Sequence, residues 1–212
     1  MSKVAIQGAA TGTGVFTLAS PATNTDRTLT LPDEAGTVLT SAGVPASAMP
    51  AGSVLQVVSF TKTDTTSGTN RMSENSWVTA LSVSITPTNA TSKILVIANV
   101  NLGGLSVSGD SAIVMRMARG STAICVGDAI GNRRQTSAGP DWPARSDMQL
   151  NYGVSFLDTP NTTSSTTYNI QPAIRGVGTG TWYLNRSVDW SGNNTTEFAT
   201  NASTITVMEI AA

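Results

Sequence analysis

Apolar and polar residues alternate with a period of two along most of this chain beyond position 50. Met148, Leu150, Tyr152, Val154 and Phe156 are interleaved with Gln149, Asn151, Gly153 and Ser155. Side chains two residues apart share one face of a strand, so this run predicts a half-buried strand. Trp77, Leu81, Val83 and Ile85 against Ser82, Ser84 and Thr86 predict another, ended by Pro87. Val54 to Phe60 is apolar on both faces apart from Gln56 and Ser59, the pattern of a strand buried between layers. Lys93 to Leu102 starts apolar and finishes alternating, and Ile113, Met115 and Met117 oppose Val114 and Arg116. Gly120-Ser121 predicts a two-residue hairpin turn into Thr122 to Val126. Tyr168, Ile170 and Ile174 continue the theme, with Pro172 marking an edge or a bulge. Thr181 to Asn185 and Ser203 to Ile210 bring the count to about nine strands with no helix. The expected class is all-β, an antiparallel β-sandwich, for which the jelly roll is the commonest arrangement of so many strands.

The first fifty residues follow a different pattern. Short alternations at Phe16 to Leu18, Thr28 to Leu31 and Thr37 to Thr40 are separated by Pro21, Pro32 and Gly36. Large apolar residues are sparse there, too few for their burial to offset the entropy of ordering that length of chain. Met1 to Gly14 reads as an extended arm, and Ala42 to Gly52, small, uncharged and holding two prolines, as a linker. The division is therefore an extended ribbon and linker over residues 1–50, whose fold depends on partners, and a β-sandwich over residues 51–212.

Composition narrows the partners. Charged residues make up 12%, with Lys+Arg 12 against Asp+Glu 13, so no electrostatic pull toward nucleic acid or an anionic membrane is expected. Thr, Ser, Asn and Gly favour turns and extended backbone over helix. The single cysteine, Cys125, excludes an intrachain disulfide and fits assembly in a reducing cytoplasm. Its apolar surroundings, Ala123 to Val126, predict a buried, inert thiol. No basic region followed by an apolar stretch opens the chain, so no secretory signal is expected. The longest apolar run, Ile94 to Ala98, falls far short of the roughly 20 residues that cross a bilayer. Asn-x-Ser/Thr tripeptides at Asn89, Asn161, Asn194 and Asn201 arise readily in a chain this rich in Asn and Thr, and glycosylation is not expected.

Three runs follow one another in the ribbon: Thr17 to Thr25 (Thr-Leu-Ala-Ser-Pro-Ala-Thr-Asn-Thr), Thr28 to Asp33 (Thr-Leu-Thr-Leu-Pro-Asp) and Gly36 to Thr40 (Gly-Thr-Val-Leu-Thr). Their succession resembles a segment common near the N-terminus of bacteriophage tail-fibre and related virion structural proteins. What it implies is a virion part, without saying which. A looser similarity joins Ile85 to Ile97, the Phe156 to Pro160 turn with Thr166 to Gln171, and the closing Ile205 to Ile210. These resemble C-terminal domains of phage fibre and virion proteins, which are similar in pattern to the trimeric jelly-roll heads of the complement C1q and tumour necrosis factor class. That similarity implies a homotrimer.

Chemistry is thin. The absence of histidine removes Ser-His and Cys-His nucleophile pairs and the usual zinc sites. Gly12-Thr13-Gly14 lacks the Gly-Lys-Ser/Thr of a phosphate-binding loop. A glycosidase needs two carboxylates about 5 to 10 Å apart, but the acids are scattered, and Asp33, Asp64 and Asp110 stand in turn-like contexts. Asp128, Asp141 and Asp147 lack the Asp-x-Asp-x-Asp-Gly spacing of a calcium loop. No catalytic residue, metal ligand or cofactor is assigned.

Binding asks only for exposed aromatic and polar groups on a rigid scaffold. Gly127 to Asp147 carries Arg133, Arg134, Trp142 and Arg145, and Gly176 to Asn201 carries Trp182, Tyr183, Arg186, Asp189 and Trp190 beside Asn193 and Asn194. Aromatic faces stack on sugar rings, and Arg and Asn hydrogen-bond to hydroxyls. The alternative is that the tryptophans fill the sandwich ends or a subunit interface; Trp182, in a strand-like run, is the one expected in the core. The candidate receptor-binding residues are Arg133, Arg134, Trp142, Arg145, Tyr183, Arg186 and Trp190. The candidate attachment and trimerisation residues are Phe16, Leu18, Leu29, Leu31, Val38 and Leu39.

Together these readings describe a non-enzymatic homotrimeric phage tail fibre or appendage, assembled in the host cytoplasm and residing in the virion. Its ribbon would anchor to other virion proteins, and its knob would meet a host-surface glycan or protein. The alternative is a capsid decoration or head-fibre protein with no host ligand; a tailspike-like glycan hydrolase is a third reading.

Overall fold

The described residues form ten strands: β1 (Val54–Lys62), β2 (Thr66–Gly68), β3 (Leu81–Ile85), β4 (Lys93–Gly103), β5 (Ala112–Arg119), β6 (Thr122–Ile124), β7 (Gln149–Asp158), β8 (Thr166–Arg175), β9 (Trp182–Leu184) and β10 (Ser203–Ile210). The computed structural model describes residues 11–15, 22–26, 28, 44, 46–72, 75–103, 112–139, 149–176, 180–187 and 199–212. The chain divides into two units, Met1–Leu39 and Thr40–Ala212. In the first, the described residues are exposed, and the ribbon residues Phe16, Leu18, Leu29, Leu31, Val38 and Leu39 lie outside the described set. The second opens with a single 3-10 turn, Ala46–Ala48, and holds all ten strands.

Every strand pair is antiparallel, in one sheet of order β1-β10-β4-β9-β2 with β7 also on β4, and a second of order β3-β8-β5-β6. Both β10 and β9 lie along β4, opposite Lys93 to Asn99 and opposite Leu102 and Gly103 respectively. They are two halves of one strand line, as are β1 and β2 on their far side. Merging each pair turns ten strands into eight lines, numbered in chain order. The first sheet then runs 1-8-3-6 and the second 2-7-4-5. This interleaving is that of a jelly roll, a β-sandwich whose class the strand order itself settles.

The core lies between the sheets. Ile94, Val96, Ala98, Val100 and Leu102 of β4 face Leu81, Val83 and Ile85 of β3, with Met115, Met117, Tyr168 and Ile170 from β5 and β8. Each large side chain removed from water contributes about 1.5–3 kcal/mol. The core closes at one end on a polar row. Gln56, Glu209, Ile94 and Asp158 stand opposite one another across four strands. The Glu209 carboxylate, fully buried, accepts from Gln56 Nε2 (2.6 Å), Thr88 N and Oγ1 (both 2.8 Å) and Asn89 N (3.3 Å). Burial alone would raise its pKa, but hydrogen bonds from Gln56, Ser92 and Thr88 outweigh that and hold the carboxyl below the usual range. Asp158 accepts from Arg119 Nη1 (2.9 and 3.0 Å) and from the Tyr168 hydroxyl (2.7 Å), tying one sheet to the other. Burial, then that hydrogen bond, push the Tyr168 phenol well up.

At the opposite end Trp182 is fully buried, and its Nε1 donates to Asn70 Oδ1 at 2.8 Å. Asn70 also donates to Ser76 O and Pro172 O and accepts from Ile174 N, so one side chain joins β9 to β8. A Cβ on Gly68 would lie 2.5 Å from the Trp182 ring, which is why β2 has no side chain there.

Several expectations are corrected. Val54 to Phe60 is an edge strand with Val57 55% and Phe60 45% exposed; Val57 lies on the outer face of its sheet, and Phe60, opposite the buried Ile205, is exposed where no described strand flanks the far side of β1. Trp77 lies outside β3 and stacks under Arg116, 4.4 Å from ring centroid to guanidinium. Cys125 is half-buried, at φ 53° just past the end of β6, and burial pushes its thiol up. The short β2 was not expected at all, because three residues carry no periodicity. Two local expectations do hold. Gly120, with φ 58° at the first turn position between Arg119 and Thr122, has the conformation a two-residue hairpin asks of glycine. Pro172 sits beyond Ile170, where β3 has ended, so its side of β8 is locally an edge capped by Asn70.

Candidate functional site

Among the described residues, a broad open surface lies on the outer face of the six-stranded sheet. Its residues fall into rows across the strands, and the rows change character along the sheet. The first is Val57, Met208, Leu95 and Leu157. Next come Ser59, Thr206, Ile97 and Ser155, with the Ser59 and Thr206 hydroxyls 2.8 Å apart. Then follow Thr61, Thr204, Asn99 and Gly153; Asn101 and Asn151; and Ser67, Tyr183, Gly103 and Gln149. Such a face passes from apolar through hydroxyl to carboxamide.

The last two rows form a braced platform. Asn151 Nδ2 donates to Asn101 Oδ1 (3.1 Å), whose own Nδ2 donates to Ala202 O (2.6 Å). Gln149 Nε2 donates to Ala199 O (2.6 Å), and its Oε1 accepts from Asn201 Nδ2 (2.6 Å). Residues 199–202 are thus strapped to β4 and β7 by side-chain amides. Beneath them Asn185, buried at φ 65°, donates to Lys62 O and Asp64 O and accepts from Ser203 Oγ at 2.6 Å. This left-handed residue directly follows the end of β9, where the line β9/β10 breaks. A carboxamide has two donor hydrogens and two acceptor lone pairs, so the exposed Asn151 and Asn201 keep capacity for a ligand.

Tyr183 completes the platform. Since Trp182 and Leu184 point into the core, period two puts Tyr183 on the outer face. There it stands opposite Gly103, which has no side chain to compete for the space. The Arg186 guanidinium lies 4.2 Å from the Tyr183 ring centroid, a stack worth about 0.5–1 kcal/mol at an exposed site. Backbone bridging of Arg186 to Thr200 sets it beside the strap that holds Gln149.

Of the sequence candidates, Tyr183 and Arg186 are brought together. Arg133 and Arg134 are exposed on the loop after β6, where the Arg133 N–H donates to Ile130 O at 3.0 Å. Trp142, Arg145 and Trp190 lie outside the described residues, as do Asp141 and Asp147. Asn101, Gln149, Asn151 and Asn201 are not among the sequence candidates. The available signal was the density of carboxamides on the polar phase of two alternating runs, but only strand register shows that they adjoin. Among the described residues no group of three metal-ligating side chains gathers. Asp158 and Glu209 are buried with their oxygens committed to protein donors, and Asp64 is exposed and paired with Lys62 at 2.6 Å.

Fold and site together define a jelly-roll sandwich with one open, amide-rich sheet face. No protein-family model matches the chain, and no curated protein matches it. Solved structures similar to it include infectious bursal disease virus Gx strain, at 14% identity and TM-score 0.32 over 74% of this chain and 37% of that one. Others are the T13 particle of the same virus (12%, 0.35, 74% and 36%) and its VP2 subviral particle (15%, 0.32, 74% and 38%). The chain spans little more than a third of the length of those chains. Likeness at these TM-scores carries no argument, and the assignment to the jelly-roll class rests on the strand order.

Proposed function

We propose that this chain is a non-enzymatic structural protein of a bacteriophage virion, a homotrimeric tail fibre or appendage whose sandwich is a knob that recognises a host-surface glycan. The observation that carries the recognition role is the braced carboxamide platform beside the Tyr183–Arg186 stack. It offers preorganised hydrogen-bonding groups and a flat cation on rigid strands, where ligand-ordering costs are smallest. The virion assignment is supported by the succession of Thr17 to Thr25, Thr28 to Asp33 and Gly36 to Thr40. A second reading, a capsid decoration protein, is favoured by the apolar row Val57, Met208, Leu95 and Leu157, which suits docking on another protein.

The test is adsorption of the fluorescently labelled full chain to host cells. The unmodified protein is expected to adsorb, and Arg186→Gln with Asn151→Ala to abolish most of it. Trp142→Ala and Trp190→Ala show whether those two residues share the surface. Failure of the unmodified protein to adsorb favours decoration. Mass photometry at micromolar concentration is expected to give a trimer; a clean monomer overturns the fibre reading.

A further inference from the structure

We propose that the ligand of the Tyr183–Arg186 platform is an acidic saccharide, one that presents a ring carboxylate to Arg186. This inference rests on the glycan-recognition reading and narrows it to a chemical class.

The argument begins with Arg186. Its guanidinium is stacked on Tyr183 at 4.2 Å, and among the described residues no carboxylate pairs with it. The neighbouring carboxamides already bond one another. Gln149 Oε1 takes the Asn201 amide, and Asn101 Oδ1 takes the Asn151 amide. A guanidinium held by its face leaves its N–H edge free, and that edge matches a planar carboxylate in two parallel hydrogen bonds. Stacking also fixes the orientation of the fork, so less entropy is lost when the anion arrives.

Neutral groups follow at the spacing of a sugar. Thr200 is bridged to Arg186, and the next residue of the strap, Asn201, donates to Gln149, which in turn donates to Ala199 O. Neighbouring strands are about 4.8 Å apart, so Tyr183, Gly103 and Gln149 span roughly two strand spacings, the width of one or two pyranose rings. Thr200 and the free valences of Asn201 and Asn151 meet hydroxyls; Arg186 meets the charge. One isolated cation amid neutral amides suits one negative charge per ring. A phosphate-rich polymer would call for a cluster of cations, which the described part of this face does not hold.

The experiment uses the purified full chain on an array of oligosaccharides carrying glucuronate, galacturonate or N-acetylneuraminate. Each is printed beside its carboxyl-reduced counterpart and beside a sugar monophosphate. At least one acidic member is expected to bind, with its reduced counterpart weaker by about tenfold or more, as loss of a charge-assisted hydrogen bond implies. Arg186→Gln should weaken the acidic member by a similar factor and so remove most of the difference between it and the reduced one. Arg186→Lys, which keeps the charge and loses the fork, should fall between. Equal binding of acidic and reduced members overturns the acidic class while leaving glycan recognition standing. Preference for the sugar phosphates overturns the carboxylate. Binding of none of the saccharides overturns both this inference and the reading on which it rests.

Discussion

On the outer face of the four-stranded sheet, Val114, Ala118, Asn169, Gln171 and Ala173 are all buried; on the outer face of the six-stranded sheet, Val57, Asn99, Asn151 and Leu157 are open. Connecting segments of the chain lie over the first. Trp77 and Thr79 reach Arg116 and Gln171, Asn70 feeds its amide and carbonyl to β8, and Ser137 and Ala138 bond to Met115. Its polar groups are satisfied from within. Among the described residues the second face is braced at its amide end, and its apolar row leaves Val57 and Leu157 in solvent. Two sheets with the same period can thus differ in what their polar phase is for, sealing a protein interior in one case and meeting something else in the other.

Both faces depend on a sandwich pinned by buried polar groups, and the largest expected effect comes from removing such a pin. Glu209→Ala would leave the donors on Gln56, Thr88 and Asn89 without their acceptor. The expected loss is about 2–3 kcal/mol, the cost of removing a charged acceptor from part-buried donors. Urea unfolding followed by tryptophan fluorescence measures it. The pH dependence has a definite sign. A carboxyl held below its ordinary value of 4.5 in the fold contributes stability that is complete above that value and is lost as pH falls through the lower, folded value. Glu209→Gln should therefore flatten the part of the stability curve below pH 4.5. An unchanged acid limb would mean that Glu209 is not the pin.

A smaller effect separates the two faces directly. A Cβ on Gly139 would lie 2.8 Å from Val114 Cγ1 on the covered face, whereas one on Gly153 would lie 3.5 Å from Asn99 Oδ1 on the open face. Gly139→Ala is expected to destabilise by about 1–3 kcal/mol through overpacking. Gly153→Ala should be neutral or slightly stabilising, because glycine weakens a strand interior. Equal thermal shifts for the two variants would break the distinction between the faces.

How far the sequence revealed this arrangement varies with what each signal depends on. The runs Leu150 to Phe156 and Ser203 to Ile210 became β7 and β10 because a half-buried strand writes its period directly into the sequence. Edge position is not written that way. Val54 to Phe60 reads as interior and is not, since neither the strand missing from its far side nor the open outer face of its sheet leaves a mark in its own residues. Trp77 continued the phase of Leu81, Val83 and Ile85 by chance while the chain had already left the sheet. For the site, the residue types of Tyr183 and Arg186 were suggestive as they stood. Asn101, Gln149, Asn151 and Asn201 become a platform only through a register joining positions about fifty and a hundred residues apart.

The smallest expected effect is the sharpest test, because it compares one interaction on both faces. Arg116 stacks on Trp77 at 4.4 Å and donates from Nε to the buried Gln171 at 2.8 Å; Arg186 stacks on Tyr183 at 4.2 Å, beside its backbone bridge to Thr200. Arg116→Ala removes a stack and a charge-assisted hydrogen bond and strands Gln171, for an expected loss of about 2 kcal/mol. Arg186→Ala removes an exposed stack alone, for a loss of about 0.5 kcal/mol. Paired urea titrations resolve that gap. If Arg186→Ala proved as destabilising as Arg116→Ala, the guanidinium on the open face would be holding the fold rather than waiting for an anion, and the platform would lose its claim to a ligand.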